Sequence, residues 1–98
     1  MNLAETLAQD RRGIILRLLV DQADYALNDG VLQDALDRLG HAVARDLVRD
    51  DLVWLERHML VSVSHVHLFW IATLTQRGID VANGRERVPG IRRPAPKE

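Results

Sequence analysis

Residues 42–58, AVARDLVRDDLVWLERH, interleave the guanidinium groups of Arg45, Arg49 and Arg57 with the carboxylates of Asp46, Asp50, Asp51 and Glu56. Arg45 and Arg49 stand four residues apart, which on a helix places them on one face a single turn apart. A planar guanidinium donates two parallel hydrogen bonds and so suits phosphate, carboxylate or the major-groove edge of guanine. The neighbouring acids oppose the phosphate use, because like charges repel. Asp46 and Arg49, at i and i+3, are more simply read as a surface ion pair contributing about 0.3 kcal/mol to a helix.

Three histidines follow closely, His58, His65 and His67. On an extended segment His65 and His67 point to the same side, and neutral imidazoles bind zinc or nickel. The chain has no cysteine and no carboxylate that completes a ligand set, so no metal or other cofactor is expected. The lack of cysteine also excludes disulfides and thiol nucleophiles. There is no phosphate-cradling glycine loop and no nucleophile elbow, and the acids fall at helix surfaces and starts, so the chain reads as a non-enzyme.

The elements that must position these groups follow from the apolar periodicity. Ninety-eight residues, 47% hydrophobic and 28% charged, suit one domain around one core. The spacing predicts a first helix over residues 3–21, capped by Asn2, with Leu3, Leu7, Ile14, Ile15, Leu18 and Leu19 on its packing face and Arg11, Arg12 and Arg17 left polar. A short extended link, 25–27, leads to a second helix, 30–39, with Leu32, Ala35, Leu36 and Leu39 inward and Gly40 ending it. The third helix, 42–58, keeps Ala44, Val48, Leu52, Leu55 and Met59 on one stripe. Arg45, Asp46, Arg49, Asp50, Val53, Glu56 and Arg57 then face outward, with Asp51 flanking them. From Leu60 the period becomes two, and LVSVS with HLFWIAT predicts a hairpin turning around residues 64–67. Thr75 caps a short fourth helix that carries Ile79 and Ala82 and ends at Asn83 and Gly84. Trp54, at the edge of the third helix's stripe, and Trp70, on the strand face of Leu68 and Ala72, are expected in core or subunit packing.

Charge is divided along the chain. Residues 1–83 hold eight arginines against twelve acids, a net of −4. Residues 84–98 hold Arg85, Arg87, Arg92, Arg93 and Lys97 against Glu86 and Glu98, a net of +3, together with all three prolines. This division predicts an acidic domain over 1–83 and a basic, flexible tail over 84–98, either solvated or in contact with nucleic acid or an acidic partner. The first residues carry acids and arginines in place of an apolar signal region, and no apolar run approaches the ~18 residues of a membrane span. A cytoplasmic protein without membrane partners is therefore expected.

The phrase ALDRLGHAVARDLVRDDLVWLERHMLVSV places Leu52, Leu55, Glu56 and Met59-Leu60-Val61 in an L..LE..GLV pattern, and TLTQRGIDVA supplies an LT..G...A ending. Over residues 13–83 these features resemble winged helix-turn-helix regulators of the ArsR and MarR kind. Met59 departs from the pattern, standing where that family has glycine. The compact chain with its arginine-rich tail also resembles small winged-helix proteins of Mu-like transposable bacteriophages. The resemblance implies a mostly α fold with a small β-hairpin, in the order helix, short strand, helix, helix, two-stranded wing, helix. It further implies that the third helix enters the major groove of double-stranded DNA, with the wing at the backbone or minor groove and a homodimer spanning two half-sites. On that reading the chain is a small transcriptional regulator. Arg45, Arg49 and Arg57 contact DNA, and Arg85, Arg87, Arg92 and Arg93 add phosphate contacts. Leu3, Leu7 and Ile14 are the natural dimer surface. The expected wing tip, SHVH, lacks the lysine or arginine that grips phosphate. The uncharged tip and the −4 body favour a second reading, an interaction module for phage assembly or packaging whose acidic helix faces a protein partner. The fold alone does not choose between them.

Overall fold

Asn2 opens the first helix by accepting the Glu5 backbone N–H on its side chain at 2.8 Å, and α1 runs Leu3–Val20. The computed structural model describes residues 2–92 of the chain. The buried face of α1 carries Ala8, Arg11, Arg12, Ile15, Leu16 and Leu19. Arg11 and Arg12, expected on the polar side, therefore lie inside, while Leu3 and Leu7 remain exposed. The stripe of Ala8, Ile15, Leu16 and Leu19 turns toward the rest of the protein, and Arg12 falls within it by helical spacing.

A three-residue strand, β1 (Ala26–Asn28), leads directly into α2 (Asp29–Arg38), capped by Asn28. Leu32 and Leu36 are buried on α2, whereas Leu39, expected inward, is exposed beyond the helix end. Gly40 takes φ +95°, and the N–H groups of Gly40 and His41 close onto the carbonyls of Asp37 and Leu36. This is the glycine-terminated helix end that the sequence predicts. The next helix, α3 (Arg45–Arg57), starts three residues later than expected, after Ala44, which offers no side-chain cap. Val48, Leu52 and Leu55 keep the expected stripe, and Asp51 joins them in the interior.

Strands β2 (Val61–Val66) and β3 (Phe69–Leu74) pair antiparallel, with Val61 opposite Leu74, Val63 opposite Ala72 and His65 opposite Trp70. The turn sits at His67 and Leu68, later than the expected 64–67, and His67 adopts φ +54°. A positive φ at the first central residue matches the right-handed twist of paired strands. β1 pairs antiparallel with β3 through Leu27 opposite Ala72, so the hairpin is two-thirds of a three-stranded sheet ordered β1-β3-β2. The expected short strand and two-stranded wing therefore join in one sheet, and the described residues form a mixed assembly of four helices and a three-stranded antiparallel sheet in place of a mostly α fold with a small hairpin. Its order of helices and strands is compatible with a small winged-helix fold. The core joins Ile15, Leu16 and Leu19 of α1, Leu32 and Leu36 of α2, and Leu52 and Leu55 of α3 to Leu60, Ala72 and Leu74 around the hairpin.

Thr75 caps α4 (Gln76–Ala82) by accepting the Gly78 N–H at 3.0 Å. The chain does not leave the body after Gly84 as a free tail. Val88 is buried in the core, the Gly90 carbonyl accepts a hydrogen bond from Arg12 at 2.9 Å, and the Arg92 N–H donates to the Gln9 carbonyl at 3.1 Å. Residues 84–92 thus form a strap across α1, and the remainder of the expected tail lies outside the described residues. No helix among them is long and apolar enough to cross a membrane.

Met59, at the exit of α3, has φ +61° and an exposed side chain. A residue with a Cβ spends about 1–2 kcal/mol in that left-handed conformation, which is why glycine is usual there. Met59→Gly is expected to raise the unfolding free energy by about 0.5–1 kcal/mol, the side chain contributing little packing. Equilibrium urea unfolding checks this.

Candidate functional site

The arginines of α3 point first at the fold's own groups. Asp29, the first residue of α2, is fully buried, and one of its carboxylate oxygens accepts from Arg49 Nε at 2.6 Å. The other oxygen accepts the backbone N–H of Trp70 at 3.1 Å. A terminal nitrogen of Arg49 donates to the Leu68 carbonyl at 2.7 Å, and the guanidinium lies 4.9 Å from the Trp70 ring centroid. His65 stacks on the same indole at 4.6 Å. Arg49 is therefore a strut joining α3, the start of α2 and the hairpin turn. The expected Asp46–Arg49 surface pair is replaced by this longer-range bond, because a buried carboxylate without a cation would be far more costly than an exposed one.

Arg45 follows the same direction. Its Nε donates to Gln33 Oε1 at 3.2 Å on α2, and its guanidinium lies 5.8 Å from the Phe69 ring. The outward row of α3 is left to Asp46, Asp50 and Arg57, all exposed, with Val53 half-buried between them. Glu56, also exposed, accepts the backbone N–H of Val63 at 2.9 Å and ties α3 to β2.

Burial pushes the Asp29 carboxyl up, but the Arg49 hydrogen bond, the Trp70 N–H and the nearby Arg49 and Arg45 charges pull harder and hold it below the ordinary aspartate value of 3.8. The unfolded chain therefore binds this proton more readily than the folded one. The resulting stabilisation is complete above the ordinary aspartate value and is lost as pH falls through the lower folded one. Asp29→Asn is expected to destabilise at pH 6 by about 1–3 kcal/mol and to differ much less from the parent at pH 2. Paired urea titrations at the two pH values provide the comparison.

The hairpin end is apolar. Leu68 is 81% exposed, Val66 45% and Phe69 42%, and no lysine or arginine lies within residues 61–74. His65 is committed to the Trp70 stack and His67 forms the turn, so the sequence expectation of two histidines at the hairpin tip holds only for His67. No three His, Asp or Glu side chains among the described residues approach one another as metal ligands would.

A second charged cluster, absent from the sequence reading, lies on the opposite flank of α3. Asp51, expected beside the outward face, is 3% exposed and accepts two hydrogen bonds from Arg11, at 2.7 and 3.3 Å. Arg12 Nε stands 3.9 Å from the same carboxylate, and its guanidinium covers Trp54 at 4.2 Å. Trp54 in turn stacks on His58 at 3.7 Å and meets the strap at Gly90. The signal available in the sequence was the position of Arg12 within the Ala8, Ile15 and Leu19 stripe. Nothing local marked Asp51 as its counter-charge.

The C-terminal arginines are divided. Arg85 lies 3.8 Å from Asp80, and Arg87 is exposed. Arg92 reaches Asp10 at 3.2 Å, where the other carboxylate oxygen meets His41 at 2.7 Å. Arg93 lies outside the described residues. Of the seven expected nucleic-acid contacts, the structure brings Arg45 and Arg49 together beside the hairpin, sets Arg57 apart at the end of α3, and places Arg92 on the α1 side. The described residues do not gather a continuous basic surface from them.

No protein-family model matches the chain. It is similar to the uncharacterized protein gp26 of Escherichia phage Mu, at 48% identity over 93 residues, covering 95% of this chain and 96% of the relative. An uncharacterized protein of Haemophilus influenzae is 35% identical over 95 residues, covering 91% of this chain and 92% of its own length.

Proposed function

The chain belongs to the family of phage Mu gp26, and from that premise we propose that it is a winged-helix interaction module of a Mu-like phage, presenting α3 and its hairpin wing to a protein partner in assembly or packaging. The observation that carries this reading is the internal use of Arg49. Its fork is taken up by Asp29 and the Leu68 carbonyl, so the residue best placed to read a groove serves to brace the wing. What faces outward instead is acidic at Asp46 and Asp50 and apolar at Leu68. Affinity for duplex DNA comes largely from cations that displace counterions from phosphate, and this face has few to offer.

A second reading, a DNA-binding regulator, is supported by the exposed cations Arg57 and Arg87 and by an element order compatible with a winged helix, in which α3 would be the recognition helix. Fluorescence anisotropy with random duplex DNA across a salt series separates the two readings. The module reading expects no saturable binding at ~50 mM salt. Binding whose log affinity falls linearly with log salt, and whose slope shrinks in an Arg57→Ala/Arg87→Ala variant, overturns it in favour of the regulator.

A further inference from the structure

Resting on the module reading above, we infer that the hairpin end and the outward row of α3 form one docking surface for a protein segment that presents aliphatic and basic side chains together. The apolar half is preformed. Leu68 projects from a two-residue turn whose carbonyl is held by Arg49, and Phe69 lies against the start of α2, within 3.4 Å of where a side chain on Gly30 would begin. A held backbone presents the exposed side chain from a fixed point, so binding orders the leucine's own rotamers and not the turn, which makes it an efficient anchor.

The charge of the occupant follows from the flank. Arg49 lies between Asp46 and Asp50 in the chain, and its bond to the Leu68 carbonyl ties the apolar tip to the stretch of α3 that carries those two acids. Both are exposed, and neither has an ion-pair partner among the described residues, whereas the Arg49 charge is offset by buried Asp29. Arg45, held by Gln33 and 5.8 Å from the Phe69 ring, offsets one of the two, so a phosphate backbone or an anionic bilayer meets a net negative charge here. A segment with lysine or arginine one helical turn from leucine satisfies both halves at once, as amphipathic helices do when laid into a groove.

The test uses the full chain and three fluorescein-labelled synthetic helices: one with leucine and lysine at i, i+3, i+4 spacing, one with glutamate replacing every lysine, and one with serine replacing every leucine. Anisotropy is expected to show saturable binding of the first alone. Leu68→Ser, a change at an exposed turn, is expected to weaken it at least tenfold, about what burying one leucine supplies. Asp46→Asn/Asp50→Asn is expected to weaken it and flatten its salt dependence, with Asp34→Asn/Asp37→Asn on α2 as the control that leaves it unchanged. Equal binding by Leu68→Ser, equal binding of the serine peptide, or preference for the glutamate peptide overturns the inference. Preference for the glutamate peptide leaves the module reading standing, while salt-dependent duplex binding removes that reading itself.

Discussion

Asp51→Ala is expected to lower the unfolding free energy by about 3–5 kcal/mol, because it leaves the Arg11 guanidinium buried with neither counter-charge nor hydrogen-bond acceptor. Arg11 is 5% exposed and spends both its contacts on this one carboxylate. Arg12 is better protected, since it keeps the Gly90 carbonyl, the Trp54 face and Glu5. The pair is nevertheless expected to add little net stability, as buried ion pairs commonly do. Burial pushes the Asp51 carboxyl above its ordinary value, with Asp50 adding to the rise, against the opposing pull of Arg11 and Arg12. Desolvation thus outweighs attraction at this site. Removing both charges, in Arg11→Met/Asp51→Leu, is accordingly expected to cost only about 1 kcal/mol or less, well below the single substitution. Urea unfolding of Arg11→Met, Asp51→Leu and the double completes the cycle, with Asp51→Ala as the truncation alongside. A double variant as unstable as Asp51→Ala would show that the ion pair itself holds α1 to α3.

Gly78→Ala is expected to cost about 3 kcal/mol or more, since rigid backbone cannot move aside as side chains do in ordinary overpacking. A Cβ at this position would overlap the Leu60 carbonyl oxygen and stand 2.7 Å from Leu74 Cδ2. The Leu60 carbonyl also accepts the Thr75 N–H at 3.1 Å, so moving α4 outward breaks the bond that seats it at the hairpin base. In a domain of this size the loss corresponds to a melting point lower by about 12 °C or more. Gly84→Ala is the contrast. Gly84 has φ +79° but nothing within 4 Å of its missing side chain, so only the left-handed penalty of about 1–2 kcal/mol applies. A Gly78 variant no worse than the Gly84 one, by calorimetry, would mean that α4 docks with far more tolerance than its geometry allows.

The glycine of the LT..G...A phrase shows how much a short motif can carry. The resemblance supplies its position, and the close approach of α4 to Leu60 supplies its reason. Met59 gives the complementary case, in which a departure from the pattern leaves the backbone in its left-handed conformation and changes only the residue that must adopt it. Helix and strand order, the Asn2 and Thr75 caps and the Gly40 ending were legible because each depends on residues within a few positions of one another. The alternation from Val61 onward likewise identified the two strands, although the turn lies later than the histidines suggested, since strand propensity does not fix where register closes.

What the sequence by itself determined is this local layer: an acidic chain of alternating periods whose elements and ends follow from short-range capping and apolar spacing. Tertiary structure alone decided the partners of its charges. Arg49 lies three residues from Asp46 but bonds to Asp29, and Asp51 turns from the outward arc to Arg11, forty residues away in the chain. Arg92 folds back onto α1 from a stretch whose prolines and arginines suggested a free tail. The physical reason is common to all three. A long charged side chain reaches several angstroms in any direction, and its preferred partner is set by which opposite charge loses its water on folding, a quantity that exists only once the helices are packed.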